Sequence, residues 1–344
     1  MPAADAPLLS PTPYGPDGDG LICGWVCRGD GGGEPLGGTE DALRHLSGDG
    51  AAFVWLHFSL GHVAALRWLR RHADLGDDFF DALDSGSRAT RIERDGPRLF
   101  GVINDVTFDF GFEASDLATL WVSVDRRLVV SARRQPLRSV DRLRTQFKRG
   151  NLPHSSVGLL EQLLREQADE LQRIVRRAAE RIDDIEDELL AGKLHRHAAE
   201  LSRLRRVLVR LQRLLAPEPA ALQRLLAHPP DWVQAAEIES LRSASEEFAW
   251  VLRDIGTLHE RAKLMQDEAA GRVAEATGRS LFTLTMVTVL ALPINLMAGL
   301  LGMNVGGIPL AGQARGFWWM VALIGAVTAM LAWLVLRRLG PRSD

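Results

Sequence analysis

The stretch LFTLTMVTVLALPINLMAGLL, residues 281–301, holds twenty-one residues without a charge and runs into Gly302-Met303-Asn304. As an α-helix it would be about 31 Å long, matching a hydrocarbon thickness of about 30 Å. Phe317–Leu336 repeats the pattern with twenty uncharged residues, about 30 Å of helix. Between Ser280 and Leu336 the only charge is Arg315. The loop between the two stretches, 302–316, carries five glycines and one proline. A buried hairpin of a soluble protein would also be apolar, but two stretches of this length fit a bilayer. We therefore expect an integral membrane protein with two C-terminal transmembrane helices, 280–301 and 317–336. Arg272 and Arg279 precede the first; Arg337, Arg338 and Arg342 follow the second. Excess Arg marks the cytoplasmic side, so both termini, including the tail 337–344, are expected there. Trp318, Trp319 and Trp333 sit near span ends, where indoles favour the interface.

The first span is more than a lipid anchor. Thr285, Thr288, Leu292, Asn295 and Gly299 follow spacings of 3, 4, 3 and 4 and share one helix face. Asn295 in hydrocarbon is costly unless it meets water or a partner. Two uses of this face stand open on the residues alone. One is hydrogen bonding between helices; the other is lining a water-filled pore, which also accounts for the charged stalk that precedes it. One hairpin cannot enclose a pore, so several copies must, first spans inside and second spans facing lipid. The second span suits that role, since apart from indole N–H groups its only polar side chain is Thr328. Closed cyclic symmetry is the usual arrangement of identical chains.

Upstream of the spans, Asp231 follows Pro230 and is expected to cap a helix. From there to Leu301 nothing breaks the helix cleanly, although Gly256, Gly271 and Gly278 weaken it and Pro293 favours a kink. Seventy-one residues give about 105 Å, too long for a globular core. Residues 231–279 read as a stalk helix running into a membrane. Before it, residues 151–230 read as a helical hairpin. Leu171, Ile174, Ala178, Ile182, Ile185 and Leu189 recur every three or four residues, and Gly192 then punctuates. Leu194, Leu201, Leu204, Leu208, Leu211 and Leu215 keep a seven-residue repeat. One side of the tip is acidic (Asp183, Asp184, Glu186, Asp187, Glu188) and the return helix is basic. This predicts a salt-bridged solvated surface, with gathering of divalent cations as the sharper alternative.

Residues 21–150 mix short β-favouring runs with helical patterns and predict a cytoplasmic α/β domain. Strands are expected over Leu21–Cys27, Ala52–Phe58, Leu99–Phe110, Leu117–Val124 and Leu128–Ala132, and helices over Thr39–Leu46, Val63–Ala73 and Asp77–Ser85. Residues 1–20, with five prolines and no basic start before an apolar core, read as a disordered tail rather than a signal peptide. Cys23 and Cys27 lie four apart in a strand, point to one face and read as packing residues. The net charge of -3 over 344 residues argues against a nucleic-acid partner. No phosphate loop, nucleophile elbow or HExxH pattern marks an enzyme. Most histidines read as surface or core residues. His195 and His197 cannot share one ion on a helix, while His259 beside Glu260 is a candidate zinc or proton sensor.

Gly302-Met303-Asn304 after Leu292-Pro293, between two terminal spans, resembles the CorA superfamily of divalent-cation transporters. The continuation Val305-Gly306-Gly307-Ile308-Pro309 is similar to its ZntB zinc-transporter branch. So are Gly24-Trp25-Val26, Trp55-Leu56-His57 and Arg127-Leu128-Val129-Val130-Ser131-Ala132-Arg133. The resemblance implies a funnel-shaped homopentamer in a bacterial inner membrane, with loop 302–316 periplasmic. It implies a pore-mouth filter of Gly302, Met303 and Asn304, the last as a ring of five carboxamides. It implies that Leu281, Leu284, Leu292 and Asn295 line the pore; Thr288 joins them by its spacing. The cargo would be Zn2+ or another divalent cation, with the Mg2+ or Co2+ of other members as the alternative, and proton coupling would follow from the branch. No resident cofactor is implied. The loop lacks the acidic residue of many magnesium-type members and is net positive through Arg315. A ring of neutral amides suits a hydrated dication, so on the residues alone zinc does not follow. From another functional class, a membrane-anchored sensor or interaction protein remains an alternative.

Overall fold

The structure, a computed structural model, describes residues 17–48, 52–86, 88–113, 116–190, 198–303 and 315–339. It divides into two compact units, Met1–Gln266 and Asp267–Asp344.

The first unit is built on a sheet of seven strands. They are β1 (Leu21–Cys27), β2 (Gly33–Pro35), β3 (Phe53–Ser59), β4 (Arg91–Asp95), β5 (Arg98–Val106), β6 (Leu117–Val124) and β7 (Leu128–Arg133). Their order is β2-β1-β3-β7-β6-β5-β4. β3 and β7 pair in parallel, Val54 opposite Leu128, and the other pairs are antiparallel. Side chains alternate across a strand, so the sheet feeds two cores. Phe53, Trp55, Leu120, Val122 and Val129 enter one, covered by α4 (Arg138–Lys148), α5 (Ser156–Leu190), α7 (Pro217–Ala227) and the start of α8 (Ala235–Leu301). Val54, Leu56, Phe58, Trp121 and Val130 enter the other, beneath α1 (Thr39–Ser47), α2 (Val63–His72) and α3 (Asp77–Asp84). The result is an α/β sandwich of three layers.

β1 and β6 have the bounds expected from sequence, β3 is displaced by one residue at both ends, and β7 is longer by one residue at its end. β5 stops at Val106 instead of Phe110. Thr107 makes only an isolated bridge to Leu137, and its N–H turns to the Asp116 carbonyl, 2.9 Å away. β2, β4, α4 and α7 were not foreseen. β4 reads Arg-Ile-Glu-Arg-Asp, with Ile92 alone buried, so its charges hide an edge strand. α7 opens on Pro217, a residue tolerated in the first turn because its missing N–H would have had no helical partner.

The helical hairpin appears as α5 and α6 (Ala198–Leu215). The stripes foreseen on both are buried, from Leu171 to Leu189 and from Leu201 to Leu215. Gly192, Leu194, His195, Arg196 and His197 lie outside the described residues. α8 starts at Ala235, not at Asp231. Val233 N–H bonds back to Pro230 O at 3.0 Å, which places Asp231 in a turn. The cap comes from Glu237, whose Oε2 accepts Gln234 N–H at 2.8 Å, half of a capping box. α8 then stays helical through Pro293 to Leu301. The second unit holds the remainder of α8 and α9 (Gly316–Leu339). α8 and α9 are the two helices long and apolar enough to cross a membrane among the described residues.

Candidate ion pathway

Within the second unit, residues 281–300 of α8 are exposed except Met286, Leu290, Ala291, Pro293 and Met297, which are half-buried. Met286, Leu290, Pro293 and Met297 follow spacings of 4, 3 and 4, one helix stripe. At about 100° per residue, Leu281, Leu284, Thr288, Leu292 and Asn295 centre about half a turn from that stripe. All five are exposed, Leu284 by 64% and Leu292 by 66%. α9 has its own half-buried stripe of Met320, Ile324, Val327, Thr328 and Leu331. Each span is thus shielded along one side, and on α8 the polar side is the unshielded one.

The hydroxyls on this face are already committed as donors. Thr285 donates to Leu281 O at 2.8 Å and Thr288 to Leu284 O at 2.9 Å. A threonine that gives its one proton to its own helix keeps only lone pairs for whatever approaches from outside. The face therefore offers oxygen acceptors, the polarity that a cation's hydration water or the cation itself can use. Asn295 adds a carboxamide.

At the end of α8, Gly302 N–H donates to Ala298 O at 2.9 Å, and Met303 is 51% exposed. Asn304 lies outside the described residues. At the ends of α9, Phe317 and Trp318 meet edge to face, and the Arg337 guanidinium lies 5.0 Å from the Trp333 ring. An indole that holds a cation suits the wet edge of a membrane.

Residues 280–336 contain no His, Cys, Asp or Glu. Among the described residues of the whole chain, no group of three or more such side chains is placed to hold a metal. The ligands on offer along the span are neutral oxygens, hard and weakly binding.

A model of the CorA-like Mg2+ transporter protein family matches residues 50–338. The chain belongs to this family. It is a divalent-cation transporter of the CorA type. It is 30% identical over 329 residues to the divalent cation transporter CmaX of Pseudomonas aeruginosa, covering 94% of this chain and 97% of that protein. It is 24% identical over 318 residues to the zinc transport protein ZntB of Pectobacterium carotovorum, covering 92% and 95%. The solved structure of full-length CmaX superposes with a TM-score of 0.78 at 29% identity, over 93% of this chain and 98% of that one. The CorA magnesium transporter of Methanocaldococcus jannaschii has a TM-score of 0.74 at 19% identity, over 92% and 98%, a likeness of fold.

Outside the span of this CorA-type chain, the acidic tip is used internally. Arg261 of α8 reaches Asp183 at 2.6 Å and also Glu186, while Arg181 binds Asp184 at 3.4 Å and Glu200. This is the salt-bridged surface expected from the sequence, with Asp183, Asp184 and Glu186 each on a guanidinium group. Cys23 and Cys27 pack on one core as free thiols. Burial pushes them up to about 11 and about 12, which keeps them protonated and inert. His57 is fully buried. Its Nδ1 lies 2.8 Å from Ser131 Oγ, and Arg133 Nε donates to its Nε2 at 3.0 Å. Burial, then the charges of Arg133 and Arg144, hold it well below its usual pKa, so it is a neutral core residue. His259 Nδ1 lies 3.9 Å from Glu260. Its Nε2 is buried without a hydrogen-bond partner, at a cavity of about 1200 Å³ that Gln212, Arg253 and Leu264 also line.

Sequence reasoning missed a buried acidic set under α7. Asp105, Glu170 and Glu218 are each 1% exposed. Asp105 accepts from Val106 N at 2.7 Å, from Ser139 N at 3.1 Å and from Ser139 Oγ. Arg138, Arg142 and Arg173 surround Glu170 at 2.7 to 2.8 Å. Burial raises the pKa of Glu170, but these guanidinium groups outweigh it and hold the carboxyl below its usual value. Glu218 has one partner, Gln167 Nε2 at 3.3 Å. No periodicity announces such residues, because an acid flanked by Pro217 and Pro219 reads as a loop.

Proposed function

We propose that this chain forms a homopentameric pore that carries Zn2+, with the exposed polar face of α8 lining the pathway and Asn304 closing its mouth as a ring of amides. The observation that carries the reading is the placement of Leu281, Leu284, Thr288, Leu292 and Asn295 opposite the shielded stripe of α8. Threonine oxygens stripped of donor capacity point the same way. In hydrocarbon an unshielded face of this kind would be costly; around a water-filled axis it is solvated. Five copies turn it into alternating apolar and acceptor rings. The amide ring would hold a dication through its water shell without dehydrating it, and the apolar rings would gate by excluding water.

Zinc as the cargo rests on likeness to the ZntB proteins. The competing reading is Mg2+, which the family's name favours, or Co2+. In the same reading both termini and the α/β domain are cytoplasmic, since Arg272, Arg279, Arg337, Arg338 and Arg342 flank the spans.

The test uses purified full-length protein in liposomes, with a zinc-sensitive dye inside and competing Mg2+ outside. Wild-type protein should move zinc, and Asn304→Ala should lose at least tenfold of the flux while eluting as the same oligomer. Unchanged flux in that variant would remove Asn304 as the filter. Transport of Mg2+ with none of zinc would replace the cargo. Movement of no divalent ion would favour the sensor reading.

A further inference from the structure

Glu218 presents a problem that its surroundings do not solve. It sits on α7, packed between β4 and α5, and is 1% exposed. Its Oε1 has no hydrogen-bond partner. The Oε1 of Gln167, which is also 1% exposed, has none either. Gln167 Nε2 spends its donors on Asn104 O at 2.7 Å and on Glu218 Oε2 at 3.3 Å. An ionised carboxylate here would be a buried charge with one long hydrogen bond, a costly state.

The charges facing Glu218 make ionisation harder. From β5 comes Asp105, itself buried and served by three donors. From α5 comes Glu170, but the cations of that neighbourhood, Arg138 and Arg142 of α4 and Arg173 of α5, close on Glu170. From β4, Arg91 lies over the Phe100 ring, which belongs to the opposite core. Among the described residues, the charge that acts on Glu218 is that of Asp105. α7 in turn is seated on β4 and in the core through Ala221, Leu222, Leu225 and Leu226, and just before it Thr90 Oγ1 donates to Leu214 O of α6 at 2.8 Å. After α7 the chain passes through Pro229 and Pro230 into α8.

We propose that Glu218 is a proton-operated seat for α7, the helix that leads into the pore-forming helix: neutral, it lies in the core, and ionised, it releases α7 from β4 and α5. A proton on Glu218 removes the buried charge and turns the orphaned Oε1 from an acceptor without a donor into a hydroxyl that can donate. Burial, followed by the Asp105 charge, raises the pKa of Glu218 to about 8, against 4.5 in the unfolded chain. The folded form therefore binds the proton more tightly than the released form. The seat is most stable below about pH 4.5, weakens as pH rises, and above about pH 8 reaches its full loss. Seating and proton uptake are linked, so α7 answers to the pH of the compartment that holds this unit.

The test needs only the full-length protein in detergent or nanodiscs. Infrared spectra of the wild type at pH 7 should show the C=O stretch of a buried protonated carboxyl that fades between pH 7 and 9.5. Its absence at pH 7 overturns the proposal. Hydrogen exchange over 217–227, corrected for intrinsic rates, should lose at least tenfold in protection from pH 6 to pH 8.5. Glu218→Gln, a neutral isostere, should flatten that dependence and remove the band. Equal loss of protection in Glu218→Gln assigns the pH response elsewhere and rejects the seat.

Discussion

The two units treat polar side chains in opposite ways. In the sheet unit, buried polar groups are mostly paired. Trp55 Nε1 and His57 meet at Ser131 Oγ, Asn104 Nδ2 is fixed to Arg88 O and Thr90 Oγ1, and Glu170 is ringed by three guanidinium groups. In the span unit, Thr285, Thr288 and Asn295 face outward from a helix whose opposite side is the shielded one. A buried polar group needs a partner because its desolvation is otherwise uncompensated. An exposed one on an apolar span needs water or more protein. The sheet unit carries its solution inside one chain; the span unit leaves its polar face open.

Three substitutions sharpen or break that contrast. The largest effect is expected at Trp55, 1% exposed, its indole N–H bonded to Ser131 and its ring 4.9 Å from Phe147. Trp55→Ala should cost about 3–5 kcal/mol, read by denaturant unfolding of the sheet unit's fluorescence or circular dichroism. A loss below about 1 kcal/mol would show that this core is not tightly specified. Next comes Asn295→Leu, which removes an exposed amide from the span. Flux should fall at least tenfold while the melting temperature of the oligomer stays within about 3 °C, a shift of under about 1 kcal/mol. If instead the oligomer dissociates and the flux per intact oligomer holds, Asn295 is a packing residue between helices. The smallest effect belongs to Thr328→Val on α9, whose hydroxyl is half-buried and already bonded to Ile324 O at 2.8 Å. Flux and stability should both stay within about 0.5 kcal/mol of the wild type, since substitutions away from special features are usually that mild. A large flux loss there would place the second span on the pathway.

Much of this fold was legible because burial leaves a period. β1 and β6 alternate or run apolar between polar turns, and their bounds followed from that. The stripes of α5 and α6, and the polar face of α8, were visible as spacings of three, four and seven. What stayed hidden lacked a period. β4 is charged because it is an edge strand, with only Ile92 needing to face a core. α7 hid behind prolines that begin a helix as readily as they end one. The start of α8 moved because Pro230 makes a turn that swallows Asp231. Glu218 and Gln167 were invisible for a deeper reason: their burial depends on strands and helices far away in sequence, and a polar residue looks the same on paper whether it is wet or dry.

The parallel pair of β3 and β7 sets a schedule for synthesis. Val54 finds Leu128 seventy-four residues later, so the first half of the sheet must wait while the antiparallel strands from β4 to β7 form from local neighbours. Closing that long loop is the slow entropic step. All seven strands lie before Arg134, and the first span begins at Leu281. At 5–20 residues per second the ribosome takes about 7–30 s to cover that gap, ample for the sheet to close. A nascent chain therefore has time to close its sheet before its first hydrophobic span leaves the ribosome.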